Sequence, residues 1–197
     1  MLDRIGAEVA RATTIVRYAP GSSFPRHTHG GGEEYLVLEG TFQDDTGDFP
    51  VGHYVRNPPD SSHTPSSAPG CTIFVKLWQM HPDDRTPVHM DLDKASLLPS
   101  SQAGVQAATL FKNSEEHVEV QAWAPGTAVS FPSGGGLEVL FLKGGGQDKA
   151  TDERLSKGSW VRVPPEGTFE VAVGGEGAYV WTKQGHLATP RGLQLGE

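Results

Sequence analysis

Two segments, G-H-Y-V-R-N-P-P-D at 52–60 and G-S-W-V-R-V-P-P-E at 158–166, belong to a set of landmarks that this chain carries twice in the same order. Y-A-P-G (18–21) is echoed by W-A-P-G (123–126), and the apolar run E-E-Y-L-V-L-E-G (33–40) by L-E-V-L-F-L-K-G (137–144). D-D-T-G-D (44–48) has its counterpart in Q-D-K-A-T-D (147–152), and G-C-T-I-F-V-K (70–76) in G-A-Y-V-W-T-K (177–183). The offsets run only from 104 (Gly40 to Gly144) to 107 (Gly70 to Gly177), so the chain reads as two copies of one small unit. Shared turn composition alone does not produce two V-R-x-P-P segments. The expected domains are residues 1–90 and 91–197. The join falls within 80–104, which lacks period-2 patterning and is rich in Pro, Ser and Asp.

Each copy consists of short runs of alternating character, set off by turn residues every eight to twelve positions, which predicts an all-β sandwich or barrel. Pro58-Pro59 cannot donate to a ladder and closes the strand before it. With 25 glycines and 15 prolines among 197 residues, tight turns are plentiful, and no long helix is expected. The net charge of −8 and the absence of a basic, aromatic-interleaved stripe argue against a nucleic-acid partner. No apolar run is long enough to cross a bilayer and the N-terminus carries no secretory pattern, so a cytoplasmic protein is expected. The single cysteine, Cys71, excludes an intramolecular disulfide and a Cys-x-x-Cys zinc knuckle.

The chemistry is concentrated in R-H-T-H-G-G-G-E-E-Y (26–35). His27 and His29 are two apart, so on an extended chain both imidazoles leave one face. The glycines that follow allow the backbone to bring a carboxylate back toward them. Glu33 and Glu34 are equivalent on chemistry alone, but they point to opposite faces and only one can join the histidines. His63, 30 residues after Glu33, is a fourth candidate if the strand beyond the hairpin returns antiparallel. Imidazoles and a carboxylate, with no soft sulfur, suit a divalent transition metal.

These residues resemble the two cupin motifs. Gly21, His27, His29, Glu33 and Gly40 match the first, whose spacing to the terminal glycine selects Glu33. Gly52, Pro58 and His63 match the second, with Asp60 standing where glycine is usual. More narrowly, R-Y-A-P-G, H-T-H-G-G-G-E-E-Y-L-V-L-E-G-T-F and V-R-N-P-P-D-S-S-H-T-P resemble the ChrR-type cupins, which include the metal-binding domain of ChrR-like anti-sigma factors. The resemblance implies two tandem cupin barrels of the jelly-roll, double-stranded β-helix kind, as a monomeric bicupin or a homodimer. It implies one divalent metal per chain, zinc or iron first and manganese or nickel next, held by His27, His29, Glu33 and His63. The anti-sigma members carry an N-terminal helical domain with a His and a Cys-x-x-Cys. This sequence shows no such segment, so a sigma factor is expected as a partner only through a missing domain.

Two functions follow from the resemblance. One is a metal-dependent sensor of the ChrR kind, responding to singlet oxygen or organic peroxides, with Cys71 as an oxidisable group near the metal. The other is a non-haem Fe(II) dioxygenase acting on a diketone-like or aromatic ketone substrate in the first barrel. Tyr35 and Val37 share the side of Glu33 and are expected to line the interior there, with Tyr54 a weaker candidate; a core role is the simpler reading for both tyrosines and for Cys71. In the second copy the ligand positions become Phe131, Ser133, Leu137 and Phe169, which predicts a barrel without metal. His53, His81, His89, His117 and His186 have no evident ligand partners and are read as solvent or interface residues.

Overall fold

The computed structural model describes residues 1–6, 10–132 and 134–189. The described chain is almost entirely β, with one short 3-10 turn at Leu92–Lys94, and it divides into two compact units, Met1–Lys94 and Ala95–Thr189. No helix among the described residues is long and apolar enough to cross a membrane.

In the first unit the strands are β1 (Asp3–Ile5), β2 (Arg11–Tyr18), β3 (Ser22–Ser23), β4 (His27–His29), β5 (Glu33–Asp44) and β6 (Gly47–Pro50), followed by β7 (His53–Asn57), β8 (Ser61–His63), β9 (Ser66–Ser67), β10 (Cys71–Leu77) and β11 (Val88–Asp91). The main path runs β1-β2-β10-β5-β7-β11. A hairpin, β5-β6, extends from it, and β4 pairs with β8 alone. The second unit holds β12 (Leu98–Pro99), β13 (Val105–Lys112), β14 (His117–Trp123), β15 (Ala128–Phe131) and β16 (Leu137–Asp148). After these come β17 (Arg154–Ser156), β18 (Trp160–Val163) and β19 (Phe169–Gln184), with the path β12-β13-β14-β19-β16-β17.

Alternation along β5 explains the interior of the first unit. Tyr35 and Val37 pack with Phe42, Phe49, Val55, Cys71, Ile73 and Val75 in one buried cluster. The inward residues change from odd to even numbers along β5 because the ladder with β10 skips Leu38: Ile73 faces Val37 while Thr72 faces Glu39. Such a bulge shifts the parity of every later side chain. The same irregularity recurs in β16, where Val180 faces Phe141 and Tyr179 faces Lys143.

Glycine ends both apolar runs for a steric reason. Gly40 and Gly144 have φ of +69° and +66°, and a Cβ on either would lie about 2 Å from a carbonyl oxygen, that of Gly70 (1.9 Å) or of Gly177 (2.0 Å). Strand and backbone meet too closely there for any side chain.

The opposite face of the sheets carries charge. Glu34 lies across the ladder from Arg56 on one side and Lys76 on the other, and Glu138 likewise faces Arg162 and Lys183. Glu34, Arg56, Lys76, Glu138 and Lys183 are all buried. This face corrects the expectation for Tyr54. Its hydroxyl donates to Glu34 Oε1 at 2.6 Å, and it pairs with Leu36 in register, so it does not line the interior; Val55 does.

Candidate metal centre

The centre rests on the two-stranded ribbon of β4 and β8. His27 pairs with His63 in register, Thr28 with Ser62 and His29 with Ser61. Directly opposed residues share a face, and so do residues two apart on one strand, so this register puts all three imidazoles on one side. One ring nitrogen from each of His27, His29 and His63 lies within 4.8 Å of the others. His29 Nε2 and His63 Nε2 are 3.0 Å apart, and Glu33 Oε2 is 3.6 Å from each. Glu33 thus adjoins two of the three histidines. Glu34, on the other face, is elsewhere engaged.

The fit to a metal ion can be tested on these separations. Donors held at about 2.1 Å from one ion lie about 3.0 Å apart at right angles and about 3.4 Å apart in a tetrahedron. The separations of 3.0, 3.6 and 3.6 Å among His29, His63 and Glu33 are of that size, and the His27 nitrogen lies within a wider 4.8 Å of the other two imidazoles. The tautomers agree as well. His27 Nδ1 is 2.9 Å from the Pro25 carbonyl oxygen, which can only accept, so the proton belongs on Nδ1 and the Nε2 lone pair is free. His63 Nδ1 lies 3.1 Å from Asp44 Oδ2, and the same logic frees its Nε2. Two ring nitrogens 3.0 Å apart need a proton or a cation between them. The donor set suits a divalent ion of the nitrogen- and oxygen-binding kind.

Asp44 and Asn57 are the residues that the sequence reading missed. Asp44 Oδ1 accepts from the Thr46 backbone N–H at 2.7 Å and the Thr46 hydroxyl at 2.6 Å, leaving Oδ2 for His63. Asn57 sits opposite Glu33 in the ladder and donates to Glu33 Oε2 at 3.1 Å. A carboxylate on the far nitrogen of a ligating imidazole fixes its orientation and strengthens it as a donor.

The ionisation of the metal-free site follows from burial and these contacts. Desolvation, with the two neighbouring imidazoles, lowers the His29 pKa to about 4, so it stays neutral and ready to ligate. Burial opposes charge on His63 too, but the Asp44 hydrogen bond and the Glu33 carboxylate outweigh it and raise its pKa above the ordinary value. Burial also works against the Asp44 charge, yet the bonds from His63 and Thr46 bring it down to about 2. Burial raises Glu33 despite His63 and Asn57. His63 is therefore where a proton competes with metal. Metal affinity should be full above the folded-state pKa of His63 and fall as pH drops through it, starting above the ~6.5 of a free imidazole. Asp44→Asn should weaken metal binding by about 10- to 100-fold at pH 8 and move that midpoint downward. Metal titrations between pH 5 and 8 measure both; an unshifted midpoint would count against the Asp44–His63 couple.

The other expected residues are placed as follows. Tyr35 and Val37 are interior and buried. The Tyr35 ring lies 4.7 Å from that of Phe42, which lies 5.8 Å from His63. Cys71 belongs to the same cluster, and burial pushes its thiol up, against a hydrogen bond with Ser67, so it sits there as the protonated form. Asp60 has φ of +68°, the left-handed conformation that explains glycine's usual place there and that Asp tolerates. Its N–H donates to the His29 carbonyl at 2.9 Å. His186 is not solvent-facing: it is buried, 3.2 Å from Glu138.

Residues 1–81 match the model of the ChrR cupin-like domain family. Over those residues the first unit is similar to a ChrR cupin-like domain. Solved structures share the fold over most of the chain. A Nostoc punctiforme protein described as a candidate dioxygenase is 15% identical, with 91% of this chain and 70% of that one aligned at a TM-score of 0.77. A cupin 2 conserved barrel domain protein from Leptotrichia buccalis aligns at 0.66 with 10% identity, covering 92% and 86%. The salicylate 1,2-dioxygenase of Pseudaminobacter salicylatoxidans aligns at 0.67 with 13% identity, covering 87% and 70%. At such identities the likeness is one of fold. No curated protein sequence matches the chain.

The second unit keeps the ribbon and changes the side chains. Phe131 pairs with Phe169 across β15 and β19, the register that His27 and His63 have in the cupin-like domain. The two phenyl rings stack at 6.3 Å, and Leu137, in the place of Glu33, joins the same buried cluster. Asp148, the counterpart of Asp44, instead accepts from the backbone N–H groups of Ala150 and Thr151. Ser133 lies outside the described residues.

Proposed function

We propose that the cupin-like domain binds one divalent metal ion through His27, His29, His63 and Glu33, and that the loaded domain is a sensing module rather than an enzyme. The observation that carries the reading is the cross-strand histidine pair, with Glu33 Oε2 3.6 Å from two Nε2 atoms and Asp44 behind His63. Packing favours a sensor: below the histidines the interior is filled by Phe42, Tyr35 and Phe49 rings, with Phe42 centred 6.4 Å from Phe49. Such a module would respond through the occupancy or oxidation of its metal, as the resemblance to the ChrR sensor domain suggests. Zinc, which closes its shell with four protein donors, and iron are the first candidates.

A second reading is a dioxygenase, favoured by the exposed edge of the centre at His27, where a small ketone could approach. An Fe(II) ion bound there would supply Lewis acidity and oxygen activation. His29 and Glu33 would hold it from the buried side. Metal analysis of the purified chain, with oxygen consumption on β-diketones, separates the two. One tightly held metal per chain and no oxygen uptake is expected. Stoichiometric iron with substrate-dependent uptake would replace the sensor by the enzyme.

A further inference from the structure

The cupin-like domain contains a bulky residue in a left-handed conformation at a position where the second unit has glycine. Trp78 has φ of +60°. Its counterpart, two residues past the shared lysines Lys76 and Lys183, is Gly185, with φ of +86°. The backbone contacts are the same in both units. Trp78 N–H donates to the Gly32 carbonyl at 3.2 Å and Met80 N–H to that of Gly31 at 3.3 Å; Gly185 donates to Gly136 and Leu187 to Gly135, each at 2.9 Å. The strap therefore needs a left-handed residue, and glycine is the unstrained solution. In the first unit it is a tryptophan instead.

The indole lies on the turn between two candidate ligands. A Cβ on Gly30 would meet Trp78 Cη2 at 3.0 Å, and one on Gly31 would meet Cε3 at 2.4 Å, so the ring rests directly on the glycine backbone. Gly32 is covered by the Met80 sulfur, 2.5 Å from where a Cβ would stand. The turn joins His29 to Glu33 and is closed by the Gly32 N–H on the His29 carbonyl at 3.1 Å. In the second unit a Cβ on Gly134 would meet nothing nearer than the Pro132 carbonyl oxygen at 3.9 Å among the described residues, while one on Gly135 would meet the Gly185 backbone at 2.8 Å and one on Gly136 would meet Leu187 at 2.5 Å. An aromatic ring over the first two glycines is thus present where the candidate ligands are present, and a glycine takes its place where they are replaced. Three consecutive glycines have more conformational freedom than any other tripeptide, and without a plate they would let His29 and Glu33 drift apart.

We infer that Trp78 is a positioning residue for the metal centre: its indole clamps the Gly30–Gly32 turn and so holds His29 and Glu33 at their mutual spacing. This rests on the metal reading proposed above. The test uses the full chain, with zinc affinity measured by chelator competition and cobalt(II) absorption as the spectroscopic probe, beside urea unfolding of the metal-free protein. Wild type should bind and His63→Ala should not; if wild type binds neither ion, the metal reading fails and this inference with it. Given binding by wild type, Trp78→Gly should weaken zinc affinity by about 10- to 100-fold, the range for a residue that orients ligands, and alter the cobalt spectrum. Trp78→Phe, which keeps a plate, should stay within about threefold of wild type. A merely structural role would lower metal-free stability and leave the affinity and spectrum of the folded protein alone, and that result overturns the inference. So does a Phe variant as weak as the Gly variant. Should Trp78→Gly not fold, Gly31→Ala reads the same contact from the other side; unchanged affinity there is equally fatal.

Discussion

His63→Ala is expected to empty the metal centre, with a larger loss of affinity than the ~10- to 100-fold predicted for Asp44→Asn. The substitution removes one Nε2 donor and leaves two buried carboxylates without their shared partner. Glu33 Oε2 stood 3.6 Å from that nitrogen, and Asp44 Oδ2 3.1 Å from the other. Metal bound only to the folded state raises apparent stability with its concentration, so added zinc should shift the unfolding midpoint of wild type and not that of the variant. A companion double variant, His27→Phe with His63→Phe, copies what the second unit does with Phe131 and Phe169. It should fold and show no metal-dependent shift. Unchanged metal content in His63→Ala would reject the ligand set; a double variant that cannot fold would mean that the two ribbons are less alike than their registers suggest.

Gly40→Ala should damage the fold severely, at about 3 kcal/mol or more. A left-handed φ of +69° costs an L-residue roughly 1–2 kcal/mol, and here the added methyl would also lie 1.9 Å from the Gly70 oxygen. The overlap is with backbone, so only a separation of β5 from β10 relieves it, at the point where Cys71 pairs with Gly40. Gly52 is the control. Its φ is +86° but nothing lies within 4 Å of a Cβ there, so Gly52→Ala should lose only the dihedral contribution, about 1 kcal/mol. Urea unfolding of the two variants against wild type measures the difference. Equal losses would show that the close approach to Gly70 does not matter.

Much of the centre was legible because its information is local. His27 and His29 share a face through strand periodicity, and opposite faces separate Glu33 from Glu34 whatever the rest of the chain does. The terminal glycine of each apolar run marks a close backbone approach, and Asp60 takes a left-handed position that few other residues tolerate. What escaped depends on interruptions of that periodicity or on distant segments. Asp44 lies inward only because the bulge at Leu38 switches the parity of β5; counted from Glu33 in steps of two, it should point outward. Tyr54 was a weaker candidate for the interior beside a simpler core role; it is buried, and the pairing of Leu36 with Tyr54 puts it on the face of Glu34. Asn57 reaches Glu33 through the same ladder, which the sequence does not display.

The sequence by itself determined an all-β chain of two repeated units, and a set of imidazoles and a carboxylate that the first unit has and the second lacks. Those conclusions follow from the chemical nature of side chains and from the two-residue repeat of a strand, both of which are written along the chain. Only the tertiary structure decided which groups stand behind the candidate ligands: the carboxylate of Asp44 on His63, the amide of Asn57 on Glu33, and the indole of Trp78 on the glycine turn. Each reaches its target across 19 to 48 residues of chain, from His63 back to Asp44 and from Gly30 forward to Trp78. Contacts of that kind are set by strand register and by a bulge, and a one-residue slip would turn every one of them to the other face.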